Sequence, residues 1–263
     1  VATTGSDGSG NGTQESPFAT IQTGINAAGD GNTVQVGAGT YLENIDFNGK
    51  SIAVFGDGWE STIIDGDSNG SVVVMDSGED STTVLSGFTL TNGSGNIDEN
   101  GSAQGGGIFV KSSSPTLKDL VIRDNSVSAG YSAGGAIFFK NSNSLIEDIL
   151  IAENEAVYLA GGIYLHGGNV TIQNVTLVGN TDDYTFQYED DVIYVGWGAT
   201  ATLRNVIIWG NAPNDIRVGS NSTLNVYFSD IEGGQESVEV NSETTVDWGD
   251  GNIDADPLFC EPD

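Results

Sequence analysis

A short apolar block returns at intervals along the middle of the chain: GIFV (107–110), AIFF (136–139), GIYL (162–165), VIYV (192–195) and, more weakly, DIRV (215–218). Their starts lie 29, 26, 30 and 23 residues apart, a supersecondary period with loops of variable length. Behind each of the first four blocks comes a segment in which apolar and other residues alternate: TLKDLVIRDN ending at Asn125, LIEDILIAEN at Asn154, TIQNVTLVGN at Asn180 and TLRNVIIWGN at Asn211. VLSGFTLTNG, ending at Gly93, is an earlier copy and STLNVYFSDIEGG a later one. Alternation with period two marks half-buried strands, so each repeat predicts at least two of them. Like strands stacked turn upon turn give parallel sheets running along a coil, which is a solenoid of the β-helix kind.

The same alternation assigns faces. If Ile108, Ile137, Ile163 and Ile193 point inward with Val110, Phe139, Leu165 and Val195, then Phe109, Phe138, Tyr164 and Tyr194 point outward. Lys111, Lys140 and His166 stand two residues further on and share that outward face, about 4.8 Å apart from rung to rung. A stripe of rings beside a basic column suits a carbohydrate, with the cations placed for a sugar acid or a sulfate. A plainer reading competes with it, because like residues pack well on one another in stacked sheets. Asn125, Asn154, Asn180 and Asn211 form a further column, expected at a tight turn with left-handed backbone and stacked amides.

Near the N-terminus, SPFATIQTGINAAGDGNTVQVGAGTYLENI (16–45) places Ile21 and Ile25 four apart, the spacing of a short helix with one buried face. Together with the closing NIDADPLF (252–259), this segment and the repeat resemble the right-handed parallel β-helix superfamily, the pectin-lyase-like fold, and within it bacterial extracellular β-helix repeat proteins. The resemblance covers almost the whole chain. It implies an all-β solenoid with a short N-terminal capping helix, divided into an N-terminal strand, loop and helix (1–32), the parallel β-helix (33–247) and a C-terminal tail (248–263). Lyases, hydrolases, adhesins and structural fibres all use this fold, so it leaves the function open.

Composition narrows the partners. Seven Lys and Arg against 37 Asp and Glu give a net charge of -30, which argues against nucleic acid and anionic membrane surfaces and favours divalent cations. No apolar run approaches the ~20 residues that span a bilayer. Val1 begins without Met or a hydrophobic leader, as in a processed or excised protein, and the resemblance implies a secreted or surface-attached one. The single cysteine, Cys260, excludes an internal disulfide; a partner outside this chain and a free thiol both stay open.

The resemblance also supplies chemistry to test. Polysaccharide lyases of this fold abstract a proton beside a uronate carboxylate with Lys or Arg while Ca²⁺ neutralises the acid; here that role would fall to Lys111 or Lys140, with His166 beside them. Polygalacturonases of the fold carry Asn-Thr-Asp, an Asp pair, Gly-His-Gly and Arg-Ile-Lys. The nearest approaches here are TDD (181–183), EDD (189–191) and HGG (166–168), and no Arg-x-Lys occurs.

For Ca²⁺, DGDSNG (65–70) sets Asp65, Asp67 and Asn69 at alternate positions with Asp76 at the twelfth, an EF-hand-like spacing between strand-like flanks. Asp250, Asn252, Asp254 and Asp256 form a second candidate, and the acidic loop 181–191 a third. Sequons such as those at Asn169 and Asn174 follow from the repeat's own Asn and Thr usage and imply nothing about glycosylation.

Two functions are therefore expected to compete. One is a non-catalytic, extracellular structural or adhesive protein, calcium-stabilised, glycan-binding or assembling end to end. The other is a calcium-assisted polysaccharide lyase or related polysaccharide-degrading enzyme.

Overall fold

The computed structural model describes residues 1–182, 191–212 and 216–259. The apolar blocks stack into one parallel ladder built from Ile45–Asp46, Val73–Met75, Ile108–Lys111, Ile137–Ser142, the start of Ile163–Val178, Ile193–Gly196, Ile216–Val218 and Val238–Val240. They align residue for residue, so that Phe109 pairs with Phe138, Phe138 with Tyr164 and Tyr164 with Tyr194. The alternating segments hold more than one strand. Val84–Thr91, Thr116–Arg123 and Leu145–Ala152 each bend at a single residue of positive φ, and this column runs Gly87, Asp119, Asp148, Asn174, Asn205 and Phe228. Asp and Asn tolerate that left-handed backbone better than most residues, which is why the corner sits there. Each turn of the coil therefore has three strands; alternation read straight through the corner merges two of them.

The asparagine column lies inside the coil and not at the left-handed position. Asp124, Glu153, Gly179 and Gly210 take the positive φ, one residue earlier. Asn125, Asn154, Asn180 and Asn211 are buried, and each amide donates to the next side chain at 2.9 Å as far as Asn211, which ends the column. The same nitrogens also donate to the carbonyls of Leu90, Ile122, Ile151 and Leu177 at 2.9–3.2 Å. The side-chain oxygens of Asn154, Asn180 and Asn211 accept the backbone N–H of the preceding asparagine. Burial of these polar groups is tolerated because the ladder satisfies them in both directions.

One continuous apolar core fills the coil from Ile21 to Ile231. The predicted helix, α1 (Ile21–Ala27), closes its N-terminal end with Ile21 and Ile25 fully buried. Side chains from the first turn bind it at both ends. Glu43 accepts the N–H groups of Ile21 and Gln22 at 2.8 and 3.0 Å, and Lys50 Nζ donates to the carbonyls of Ile25, Asn26 and Ala28 at 2.7 Å each. These charges complement the helix dipole, anion at the start and cation at the end. Gln22 also pairs with both backbone groups of Asp46, standing in for a missing strand at the ladder's edge.

Outside the coil, an antiparallel hairpin (Asn96–Ile97 with Ala103–Gln104) and a small parallel ladder (Ser126–Val127, Glu155–Ala156, Thr181–Asp182) project from successive turns. Among the described residues no helix is long and apolar enough to cross a membrane.

Candidate functional site

The outward stripe exists as a stack. Ring centroids are 5.5 Å apart for Phe109–Phe138, 5.2 Å for Phe138–Tyr164 and 4.9 Å for Tyr164–Tyr194, with planes within 8° of parallel. It is not an open platform. Phe109, Phe138 and Tyr164 are 5%, 2% and 6% exposed, because Ala133, Leu159 and Ala160 pack over them in a second apolar cluster. The reading from alternation places these rings on the correct side of the coil but cannot see the loops that return over them. As side chains that meet a ligand face to face, Phe109, Phe138 and Tyr164 are therefore corrected to a covered support; Tyr194 is half-buried.

The neighbouring column remains accessible. Lys111 pairs in register with Lys140, Lys140 with His166, and His166 with Gly196. Lys111 is exposed, while Lys140 and His166 are half-buried. Among the described residues neither lysine ammonium has a hydrogen bond or an ion pair within 4.0 Å. Burial, and then the charge of Lys140, hold the His166 imidazole below its ordinary pKa, so it is neutral at pH 7.

Trp197 completes the column, and sequence reasoning missed it. Its indole stacks on the His166 ring at 4.8 Å and 19°, and its Nε1 donates to the Tyr164 hydroxyl at 3.3 Å. The residue is 67% exposed and has a φ of 60°. Ser112, Asn141 and Gly167, which follow Lys111, Lys140 and His166, share this left-handed backbone, so the turn is inherent to the repeat. Holding a bulky aromatic there costs on the order of 1 kcal/mol or more, a strain that commonly accompanies function. The signal was GWG (196–198), one residue beyond the basic column.

At the Lys111 end, the hairpin forms a wall. A cavity of about 320 Å³ lies between it and the ladder, lined by Asp76, Asp98, Glu99, Phe109, Lys111 and Lys140 together with hairpin amides. Asp98 serves the hairpin itself, accepting the N–H groups of Asn100 and Ser102 and the Gln104 amide. A larger cavity, about 870 Å³, lies at the N-terminal end beside α1 and carries no comparable cluster of charge.

The expected calcium ligands do not converge. Asp65 ends Thr62–Asp65, which pairs with Gly39–Leu42 and Val84–Thr91, and accepts the N–H of Asp67, whereas Asp76 follows Val73–Met75 in the ladder of apolar blocks and stands beside Lys111. Asp67 and Asn69 lie in the exposed turn between them. Asn252 accepts the N–H of Ser229 and donates to the carbonyls of Val226 and Gly249. Asp254 and Asp256 accept the N–H groups of Gly233 and Leu258, and Asp250 is exposed. Among the described residues no three His, Cys, Asp or Glu side chains are grouped to hold a metal ion. Most of the acidic loop (183–190), the start of the weak DIRV block and Cys260 lie outside the described residues.

Further along the aromatic stripe the register passes from Tyr194 to Arg217 and Glu239. Arg217 lies 3.7 Å from Asp191 and 3.2 Å from Glu239. Asp191 is completely buried, and desolvation raises its pKa well above the usual carboxylate value, with Arg217 opposing the rise.

Comparison with known proteins places the fold. A search of curated proteins finds no match. Among solved structures, pectin methylesterase from carrot superimposes with a TM-score of 0.54 at 14% identity, covering 93% of this chain and 81% of that one. Pectin methylesterase PemA from Erwinia chrysanthemi gives 0.50 at 12% identity, with 93% and 91% covered. Likeness at this identity speaks for the fold alone. The family model described as "Right handed beta helix region" matches residues 11–231, and the chain belongs to that right-handed parallel β-helix family.

Proposed function

We propose that the chain is a secreted or surface-exposed β-helix that recognises an acidic polysaccharide along the column Lys111, Lys140, His166 and Trp197. The observation that carries this reading is the pair of in-register lysines with no anionic partner, continued by a strained, exposed indole. Rungs of a parallel ladder recur about every 4.8 Å, close to the length of one pyranose unit in an extended chain. Successive sugar acids can thus meet successive cations, and an apolar sugar face can lie on Trp197. The covered rings beneath supply rigidity, since Tyr164 anchors the indole through its hydroxyl.

The pectin methylesterases among the structural neighbours accord with a polysaccharide partner, and the column supports the reading on its own. Its chemistry is recognition: two cations, a neutral imidazole and a flat ring. Calorimetry with polygalacturonate or alginate oligosaccharides tests it. Lys111→Gln with Lys140→Gln is expected to weaken binding about tenfold, and Trp197→Gly about three- to tenfold, without loss of thermal stability. Unaltered affinity in both variants would refute the site. Absorbance from unsaturated sugars in the same mixtures would instead assign the lysines to a lyase.

A further inference from the structure

The cavity at the Lys111 end carries charge of both signs. Its floor holds Lys111 and Lys140; Asp76 stands one rung before Lys111 in the same column, and Glu99 projects from the hairpin wall. These opposite charges share a space of about 320 Å³ without meeting, for among the described residues neither lysine has an ion pair within 4.0 Å. Among the described residues, the exposed Glu99 makes no hydrogen bond or ion pair, and Asp76 accepts only the hydroxyl of its neighbour Ser77. The backbone holds Glu99 away from the lysines, which extend from a ladder while Glu99 sits at the tip of an antiparallel hairpin shaped by Asp98; Asp76, the in-register neighbour of Lys111, turns to Ser77 instead. A cavity that separates cations from anions is complementary to a ligand that bears both, each group facing its opposite. Its volume is at the small end for ligand sites, roughly 300–1,000 Å³, which fits a one- or two-sugar unit.

We infer that the subsite at Lys111 and Lys140 takes a zwitterionic sugar unit, a uronate joined to an amino sugar with a free ammonium, the carboxylate on the lysines and the ammonium on Asp76 and Glu99. The inference rests on the acidic-glycan reading above and adds the second charge. Asn96 and Asn100, also in the lining, supply amides for the hydroxyls between.

The test uses two ligands of one backbone: hyaluronan oligosaccharides, which carry glucuronate and N-acetylated amino sugars, and the same oligosaccharides after N-deacetylation. Calorimetry at pH 6 compares their affinities for the wild-type chain and for a variant carrying Asp76→Asn and Glu99→Gln. The wild type is expected to prefer the deacetylated form about three- to tenfold. The variant is expected to retain the N-acetylated ligand and lose the preference, bringing the ratio close to one. The ratio is the readout because removing two acids strengthens any anion's binding without favouring either form. Equal affinities in the wild type, or a preference that survives in the variant, would overturn the inference and leave the acidic-glycan reading standing. If neither these ligands nor the polyuronates bind, both fail together.

Discussion

Asp191 shows how a single side chain records its surroundings. Its carboxyl is fully buried, with Arg217 Nε 3.7 Å away as its ion-pair partner. Burial therefore dominates and the folded chain favours the neutral acid. A carboxyl whose pKa rises on folding contributes its full stability below the unfolded value, roughly 3.9, and loses it progressively as pH rises through the folded value. Asp191→Asn preserves the shape and removes the ionisation. Its unfolding free energy minus that of the wild type is expected to grow as pH rises from about 4 and to level off above the folded pKa. Urea titrations of both proteins across that window measure the difference; a difference independent of pH would mean that Arg217 keeps the group ionised in the fold. Trp197 presents the complementary case, because its strain is in the backbone and its exposed ring is available to a ligand.

The buried asparagine ladder is the element that most clearly couples one turn to the next. Removing Asn154 would orphan the Asn125 backbone N–H, take one acceptor from the Asn125 amide, which keeps the carbonyls of Leu90 and Arg123, and remove a donor from the carbonyls of Ile122 and Ala152. Asn154→Ala is expected to cost about 2–4 kcal/mol in urea unfolding, since buried groups are left without partners. The exposed Asn143, which accepts from Asn169 in a similar rung-to-rung bond, serves as control, and its alanine variant should cost under about 0.5 kcal/mol. A comparable loss in both would show that burial is not what gives the inner ladder its weight. This ladder was legible in the sequence as a column, because Asn at the end of each alternating segment has fixed register. Its interior position was not, since the αL residue is the preceding Asp, Glu or Gly and period two cannot reveal a corner. The same limit explains the third strand and the covered rings. Alternation reports which face of its own strand a residue occupies, whereas Ala133, Leu159 and Ala160 reach over Phe138 and Tyr164 from the turn before each apolar block, a segment that keeps the register of the repeat but does not alternate. Alternation also set Lys111, Lys140 and His166 in one register, with Lys111 exposed and the other two half-buried. Trp197 escaped it because it stands one position past the repeat, at a turn residue that alternation does not index.

For the molecule as a whole, the charge of -30 acts on a rigid coil whose neighbouring turns are about 5 Å apart, well within the ~8 Å screening length at physiological salt. Acids on adjacent turns therefore repel one another in the folded state more than in the expanded chain. Raising monovalent salt from ~10 to ~150 mM is expected to increase the unfolding temperature by screening this repulsion. Divalent ions should do the same at lower concentration, and Ca²⁺ provides the sharper test. A dedicated cage would stabilise by mass action, about 2.7 kcal/mol at a hundredfold excess over its dissociation constant, with saturation and selectivity over Mg²⁺. Among the described residues, Asp65, Asp254 and Asp256 are committed to backbone N–H groups, and Asp65 and Asp76 are separated between strands of different ladders. Calcium and magnesium at matched ionic strength are thus expected to shift the melting temperature equally and without saturation. A selective shift that saturates at micromolar Ca²⁺ would establish a cage whose ligands reorganise on binding, and would restore calcium as a structural component of the coil.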